Sequence, residues 1–498
     1  MNSKKNTKNV FYSVFSQIIV LMIGLLMPRI ILKYYGSDTN GFVGTITQII
    51  TYVALLEAGI GQATRNELYN YINGDKYDNK NISVIMSISR QSYRNITKIY
   101  ALTIILLACI MPIIIKTDLN YITVFSVTIL EGLTGVISFF FIQNWTTLLT
   151  VDGKQYVISN IELINKILFY SLKIILAILG MNIVVVEASG FIATIIKLII
   201  YSKYMNKHYS WVDYKIDVKG GKLRDRESYI LTELAWTIFS STDMIILSIF
   251  ISTKEASVYS IYNMIFVAIN GFINAIYMSL KFNLGQSYHN NIEKYKRIHD
   301  CFNSVFVGTN SAIMSIAYIM CIPFVKLYTE GIQDINYINT FLPLGFCLVQ
   351  ILSWARMISG NLSGLAGYAK KVSKVSLIEA ALNITISVIL VFRWGIEGVL
   401  LATVIALPLK IIYCNWLADK IILKRSMKKT VTIISSNIAL FSIICLCNNL
   451  VNLSVKTYFS FIIYGFIVSF VVIPIFICLN IFANRDLLYI IKKRFTRG

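Results

Sequence analysis

The sequence predicts an all-α polytopic membrane protein of about 14 transmembrane helices: two six-helix lobes in a parallel pseudo-twofold repeat, then two C-terminal helices. Three observations predict it. Of 498 residues, 56% are hydrophobic and only 14% charged, against about 25% charged in a soluble domain. The apolar residues come in blocks of roughly twenty, the length that spans a bilayer as a helix. The 46 Lys and Arg residues fall mostly on alternate connections and on both termini, as the positive-inside bias requires.

Apolar runs place the spans near 10–32, 41–63, 96–115, 121–148, 157–179, 182–203, 229–251, 258–281, 301–325, 338–361, 372–392, 396–416, 430–449 and 458–482. The first follows the basic residues Lys4, Lys5 and Lys8 and lacks a small-residue cleavage site, so it reads as a retained helix. An even number of spans puts both termini on one side, and the tail is also basic, with Lys492, Lys493, Arg494 and Arg497. That side is expected to be cytoplasmic. Inner connections carry the charge, while outer ones such as 34–40, 252–257 and 393–395 are short. The inner stretches 65–95 and 285–300 read as short amphipathic helices on the membrane surface.

The net charge of +21 sets topology and touches anionic lipid, and its distribution excludes a nucleic-acid surface. The eight Cys lie in or beside apolar segments and read as small buried residues, not a disulfide framework. The three His, His208, His289 and His299, have no metal-ligand spacing, so no metal and no cofactor are expected.

The longest inner connection contains Gly220, Gly221 and a mixed-charge run, 223–228. It separates an N-lobe, 1–205, from a C-lobe, 229–420, by a linker, 206–228; residues 421–498 add two helices and the tail. A repeat supports the division. Residues 151–176 match 365–390, with Gly153 meeting Gly367 and Leu163 meeting Leu377. Further on, Ala193-Thr194, Lys197 and Tyr201 echo Ala402-Thr403, Lys410 and Tyr413. Each half has an even number of spans, so the two run the same way through the membrane. The six prolines, among them Pro28, Pro343 and Pro408, lie within or at the ends of spans and shape or bend them.

Charges inside spans are costly in hydrocarbon and face protein or water. Glu162, Lys166 and Lys173 fall at i, i+4 and i+11 of the fifth span, within roughly 40° of one another on a helix. They form one stripe, and Lys197 lies on the next span. The pattern predicts a wet, cationic interior.

Several segments carry a resemblance. The opening hairpin has Pro28-Arg29, a Tyr34-Tyr35-Gly36 turn, then Gly41 and Gly44; the second span ends in Leu56-Glu57-Ala58-Gly59-Ile60-Gly61 with Arg65 following. Gly153-Lys154 opens span five, Ser241-Thr242-Asp243-Met244 lies in span seven, and Tyr259 opens span eight. Over spans one to twelve the chain resembles the polysaccharide-unit flippases of the multidrug/oligosaccharidyl-lipid/polysaccharide exporter superfamily. The resemblance implies two lobes around a cavity open alternately to either side. It also implies a substrate of undecaprenyl pyrophosphate bearing a short glycan, moved from the cytoplasmic to the outer leaflet of a bacterial cytoplasmic membrane. Expected partners are that lipid-linked glycan, membrane lipids, a glycan polymerase and glycosyltransferases, with the flippase itself monomeric.

Such a headgroup needs cations for its phosphates. The expected substrate-binding residues are Arg29, Lys166, Lys173, Lys197, Arg356 and Lys410. Asp243, Glu57 and Glu162 are expected to serve a coupling ion or proton, with Glu162 also placed to pair with Lys166 at i+4. Other acids in spans are Glu131, Glu233 and Glu379. Alternatives are a peptidoglycan-precursor lipid flippase and a multidrug or cation antiporter of the same fold. A membrane glycosyltransferase or polymerase is disfavoured by short outer connections, and an ATP-driven exporter by the absence of GxxxxGK[ST]. An enzyme is not expected.

Overall fold

The computed structural model describes the backbone of residues 3–73, 76–214, 216, 242–448 and 455–487, and side chains from residue 23 except at a few positions within 73–76 and 279–290. Gly220-Gly221, the charged run 223–228, Glu233, the start of the seventh span and the basic C-terminal tail lie outside the described residues. The chain divides into two compact units, Met1–Ser257 and Val258–Gly498.

The first unit is built from α1 (Ser3–Ala54), α2 (Ile60–Leu68), a two-residue antiparallel ladder of β1 (Ile72–Asn73) and β2 (Lys76–Tyr77), α3 (Asn79–Ile114), α4 (Tyr121–Ile137), α5 (Gln143–Val151), α6 (Gln155–Ile178), α7 (Ile183–His208) and α8 (residues 242–250). The second contains α9 (Thr253–Asn290) from residue 258, α10 (Ile292–Tyr328), α11 (Phe341–Trp354), α12 (Met357–Leu365), α13 (Ala369–Trp416), α14 (Lys428–Asn448) and α15 (Tyr458–Ala483).

Two of these helices each cross twice. α1 breaks at Gly36 (φ 81°, ψ 177°) and α13 at Gly395 (φ 54°, ψ −132°), backbone conformations that side chains with a Cβ rarely adopt. Ten helices among the described residues are long and apolar enough to cross a membrane. The two breaks divide two of them. α6 carries Glu162, Lys166 and Lys173 inside an otherwise apolar run, and α8 is the described part of the seventh span. These bring the crossings to about 14, the expected all-α membrane fold. The bilayer-facing sides are bare apolar surface: on α15, Phe466, Phe470 and Phe482 are each more than 70% exposed. Cys109, Cys447 and Cys478 are exposed too, beside Ile110, Leu446 and Ile477 on such faces, so burial expected for all eight Cys holds for five.

The repeat is visible in local geometry. Gly153 (φ 67°) and Gly367 (φ 82°) both take the left-handed conformation two residues before a helix starts. Each amide bonds a carbonyl three residues back, Gly153 to Thr150 at 3.1 Å and Gly367 to Gly364 at 3.2 Å. The fourth and tenth spans are interrupted in corresponding places, by a π-helical turn at Ser138–Ile142 and by the break between α11 and α12.

The stretches 65–95 and 285–300 differ from expectation. Asp78 caps α3 by accepting from the Asn81 amide at 3.2 Å, and the helix then runs 36 residues, about 54 Å. No Gly or Pro occurs from Asn79 until Pro112, so nothing breaks it at the membrane surface. Likewise α9 runs to Asn290 and α10 begins at Ile292, with no separate surface helix.

Residues 242–257 pack with the first compact unit. Hydrogen bonds explain it. Asn40 donates to Ser257 at 2.7 Å, and Thr45 and Ser248 share a 2.6 Å bond. The Asp38 carboxylate accepts from Thr117 at 2.7 Å and from Thr253. A Cβ at Gly41 would lie 1.7 Å from the Thr253 carbonyl oxygen, so only glycine admits this approach.

In the second unit, α14 and α15 are tied by reciprocal amide bonds between Asn437 and Asn480, each 3.0 Å. Gly308 on α10 leaves room for the Asn480 amide, the small-residue packing that membrane helices favour. Arg425 anchors one end of this unit. It donates to Asp300 at 2.6 and 2.9 Å and to Asp419 at 2.7 Å. Burial alone would lower its pKa; the two carboxylates outweigh that and hold it above its ordinary value.

Candidate functional site

The interior charges are organised by helical hairpins. α6 and α7 run antiparallel around a turn at Gly180 (φ 69°). In such a hairpin, residues equally far from the turn lie at equal depth. Lys173 and Glu187 are each seven residues from Gly180, about 10 Å in depth. They form an ion pair of 2.7 Å with both side chains buried, 6% and 0% exposed. The Lys173 ammonium also lies 5.0 Å from the Phe169 ring centroid, and Glu131 of α4 faces the same pair. Deeper, at about 25 Å from the turn, Lys197 pairs with Glu162 at 2.7 Å.

The second unit repeats the device. The halves of α13 fold around Gly395, with Glu379 and Lys410 nearly equidistant from it. Lys410 Nζ lies 4.0 Å from Glu379 Oε2. Arg356, at the break between α11 and α12, donates to the other oxygen of the same carboxylate. Glu379 is 2% exposed and Arg356 8%. Two cations therefore converge on this one carboxylate inside a membrane-spanning bundle. Above it toward the turn, Asn383 donates to Thr403 at 2.8 Å.

The expected cations are thus distributed as follows. Lys173 and Lys197 lie in the first-unit hairpin, each held by a carboxylate. Lys166, on the same helix, is half-buried with no carboxylate within ion-pair distance among the described residues; Glu162 reaches across to Lys197 instead of along the helix to Lys166. Arg29 is half-buried on α1. Arg356 and Lys410 come together at Glu379. Of the expected coupling acids, Glu57 accepts from Gln143 at 3.0 Å. Asp243 is buried on α8 beside Thr242, whose hydroxyl is bonded to Tyr52. Neither is brought to Lys173 or Lys197.

Sequence reasoning missed Glu187, the partner of Lys173, although a signal existed: an acid inside the apolar run of span six, as far beyond Gly180 as Lys173 is before it. It also missed that Glu379 plays for Lys410 the part that Glu162 plays for Lys197. The two acids are three positions out of register in the 214-residue alignment, about one helical turn, so matching letters at one offset did not pair them.

No family model and no curated protein sequence matches this chain. Solved structures do. A lipid II flippase, MurJ, in an inward closed conformation superposes with a TM-score of 0.73 at 14% identity, over 96% of this chain and 100% of that one. An inward-facing multidrug resistance MATE family transporter of the MOP superfamily gives 0.64 at 14% identity, over 86% of this chain and 99% of that one. A MOP superfamily transporter from Pyrococcus furiosus gives 0.56 at 13% identity, over 86% and 96%. The chain is a multi-pass membrane protein with the fold that these flippase and multidrug-transporter structures share.

Proposed function

We propose that this chain is a flippase. In this reading it moves an undecaprenyl-pyrophosphate-linked oligosaccharide from the cytoplasmic to the outer leaflet of a bacterial cytoplasmic membrane by alternating access, for cell-surface polysaccharide assembly. One observation carries the reading: Arg356 and Lys410 converge on the carboxylate of Glu379 inside the bundle. Cations clustered in low dielectric favour an anion close to them, and a pyrophosphate headgroup is such an anion. Lys166 adds a further cation, without a carboxylate partner among the described residues. In the first unit, Arg29 and Lys197 complete the proposed phosphate-contacting set. The termini lie in the cytoplasm, where their basic residues meet anionic lipid. The protein acts as a monomer and performs no covalent chemistry; glycosyltransferases supply its substrate and a polymerase consumes it.

A second reading, a peptidoglycan-precursor flippase, is favoured by the likeness to a lipid II flippase over that chain's whole length. A multidrug or cation antiporter of the same fold would rely on acids other than Glu162, Glu187 and Glu379, which are already engaged by Lys or Arg.

The test is headgroup translocation in proteoliposomes, using a fluorescent polyprenyl-pyrophosphate oligosaccharide and, in parallel, labelled lipid II and a cationic dye. A charge-assisted hydrogen bond contributes about 1.5–3 kcal/mol, so Lys410→Gln should slow translocation roughly 10- to 100-fold while membrane insertion is unchanged. An unaltered rate in a Lys166→Gln/Lys410→Gln double variant would remove both residues from the mechanism. Transport of the dye alone would replace the flippase reading.

A further inference from the structure

The first unit holds a cavity lined by both polar and aromatic side chains. Its volume is about 240 Å³, and it lies where α3, the π-helical turn, α5 and the C-terminal end of α7 converge. Arg90, Phe140, Asn144, Trp145, Asn206 and Tyr214 line it.

Its chemistry is specific. The Arg90 guanidinium stacks on Tyr214, 5.4 Å from the ring centroid. One turn along α3, Arg94 lies 5.0 Å from the centroid of Phe140. Neither arginine has a carboxylate within ion-pair distance among the described residues. Two like charges at i and i+4 repel, and an anion in the cavity beside Arg90 relieves that cost. The Asp152 carboxylate near this region is already engaged, by Lys154 at 2.9 Å and by the hydroxyls of Tyr77 and Tyr209. Asn144 supplies the second requirement. It is 3% exposed and its amide donates to the Met86 carbonyl at 3.2 Å, but its Oδ1 has no hydrogen-bond partner. A buried amide oxygen without a donor costs about 1–3 kcal/mol, and rotation of the Asn144 amide into the cavity its side chain lines would let a ligand hydroxyl satisfy it. The wall is interrupted by a π-helical turn, Ser138–Ile142, a backbone irregularity that concentrates at functional sites.

We propose that this cavity binds a phosphate ester bearing a free hydroxyl, with Arg90 on the phosphate and Asn144 Oδ1 accepting from the hydroxyl. The volume is below the ~300–1,000 Å³ of drug-sized sites, so it takes a headgroup and not an extended glycan. Trp145, Tyr209 and Tyr214 are the amphipathic aromatics that populate membrane–water interfaces, which makes a glycerol-phosphate lipid headgroup the ready source; soluble glycerol phosphate has the same chemistry. The site is independent of the flippase reading, and so is its test.

Full-length protein is placed in phosphatidylcholine nanodiscs and its unfolding midpoint is followed as phosphatidylglycerol replaces part of the lipid, with sn-glycerol 3-phosphate and inorganic phosphate as soluble probes. The expected result is a midpoint that rises with phosphatidylglycerol, and an apparent affinity about tenfold weaker in Arg90→Gln. Arg90→Lys should retain most of the rise, which separates loss of charge from loss of folding; each variant's midpoint in pure phosphatidylcholine gives its baseline. The same Arg90-dependent rise with soluble glycerol phosphate but none with the lipid would support the chemistry and assign the soluble source. An equal midpoint in both lipids with no effect of either soluble probe, or an undiminished rise in Arg90→Gln, would overturn the proposal.

Discussion

Replacing Lys173 by Met leaves Glu187 fully buried, facing Glu131, with no other cation within ion-pair distance among the described residues. The Lys173–Glu187 pair is 2.7 Å apart with side chains 6% and 0% exposed. At an effective dielectric of about 20, unit charges at that distance attract by roughly 6 kcal/mol before desolvation is counted. Much of that attraction offsets the cost of burying the two charges. Removing one partner of such a pair costs about 3–5 kcal/mol, while replacing both by apolar groups of similar volume is often near neutral. The reasoning therefore predicts a non-additive cycle. Lys173→Met and Glu187→Leu should each destabilise by about 3 kcal/mol or more, and the double variant should recover to within about 1 kcal/mol of the parent. Denaturant unfolding of the purified protein in detergent, followed by tryptophan fluorescence, measures each arm. Translocation by the double variant then separates structure from transport. A double variant as stable as the parent but unable to transport would put Lys173 in the substrate path, as the sequence reading expects. Additive losses across the cycle would refute the ion-pair argument itself.

Two further outcomes follow from packing. Gly41→Ala should lower the unfolding midpoint sharply, because the obstacle 1.7 Å from the new Cβ is the Thr253 backbone and cannot rotate away; Gly271→Ala, with nothing within 4 Å, should be neutral or slightly stabilising in the same assay. Arg425→Met should cost about 3–5 kcal/mol in the same unfolding measurement, since it strips buried Asp300 and Asp419 of a shared cation. Lys429→Met should cost less than about 1 kcal/mol, because its side chain is 36% exposed.

The candidate site was half legible. The residues were visible because a charge inside twenty apolar residues is conspicuous, and Lys166, Lys173, Lys197, Arg356 and Lys410 were all singled out on that ground. Their partners were not. The i, i+4 rule joined Glu162 to Lys166 because it sees only one helix, whereas the hairpin brings Lys197 nearer. Equal counting from Gly180 would have found both first-unit pairs, since antiparallel helices with the same rise per residue keep such positions level. No counting rule would have found Arg356 at Glu379, because Arg356 enters from the break between α11 and α12, and that break follows from packing. The cavity at Arg90 was equally hidden: its walls come from three segments far apart in the chain, and its orphan acceptor exists only once Asn144 is buried.

By itself the sequence determined the membrane fold class, the approximate number and position of the crossings, and the repeat. These follow from local physics: a helix must satisfy its own backbone in hydrocarbon, and its length must match the bilayer. The left-handed glycines at 153 and 367 belong to this local set, since each conformation depends on the few residues around it. Only the tertiary structure decided which charge meets which. Ion pairing inside a membrane protein depends on depth and facing between helices, and those are set by packing across the whole unit. The same packing joined residues 242–257 to the first unit, through Asp38, Gly41, Thr45 and Thr253. It also turned a stripe of three charges on α6 into one pair with Glu187, another with Lys197, and one lysine, Lys166, half-buried without a carboxylate within ion-pair distance among the described residues.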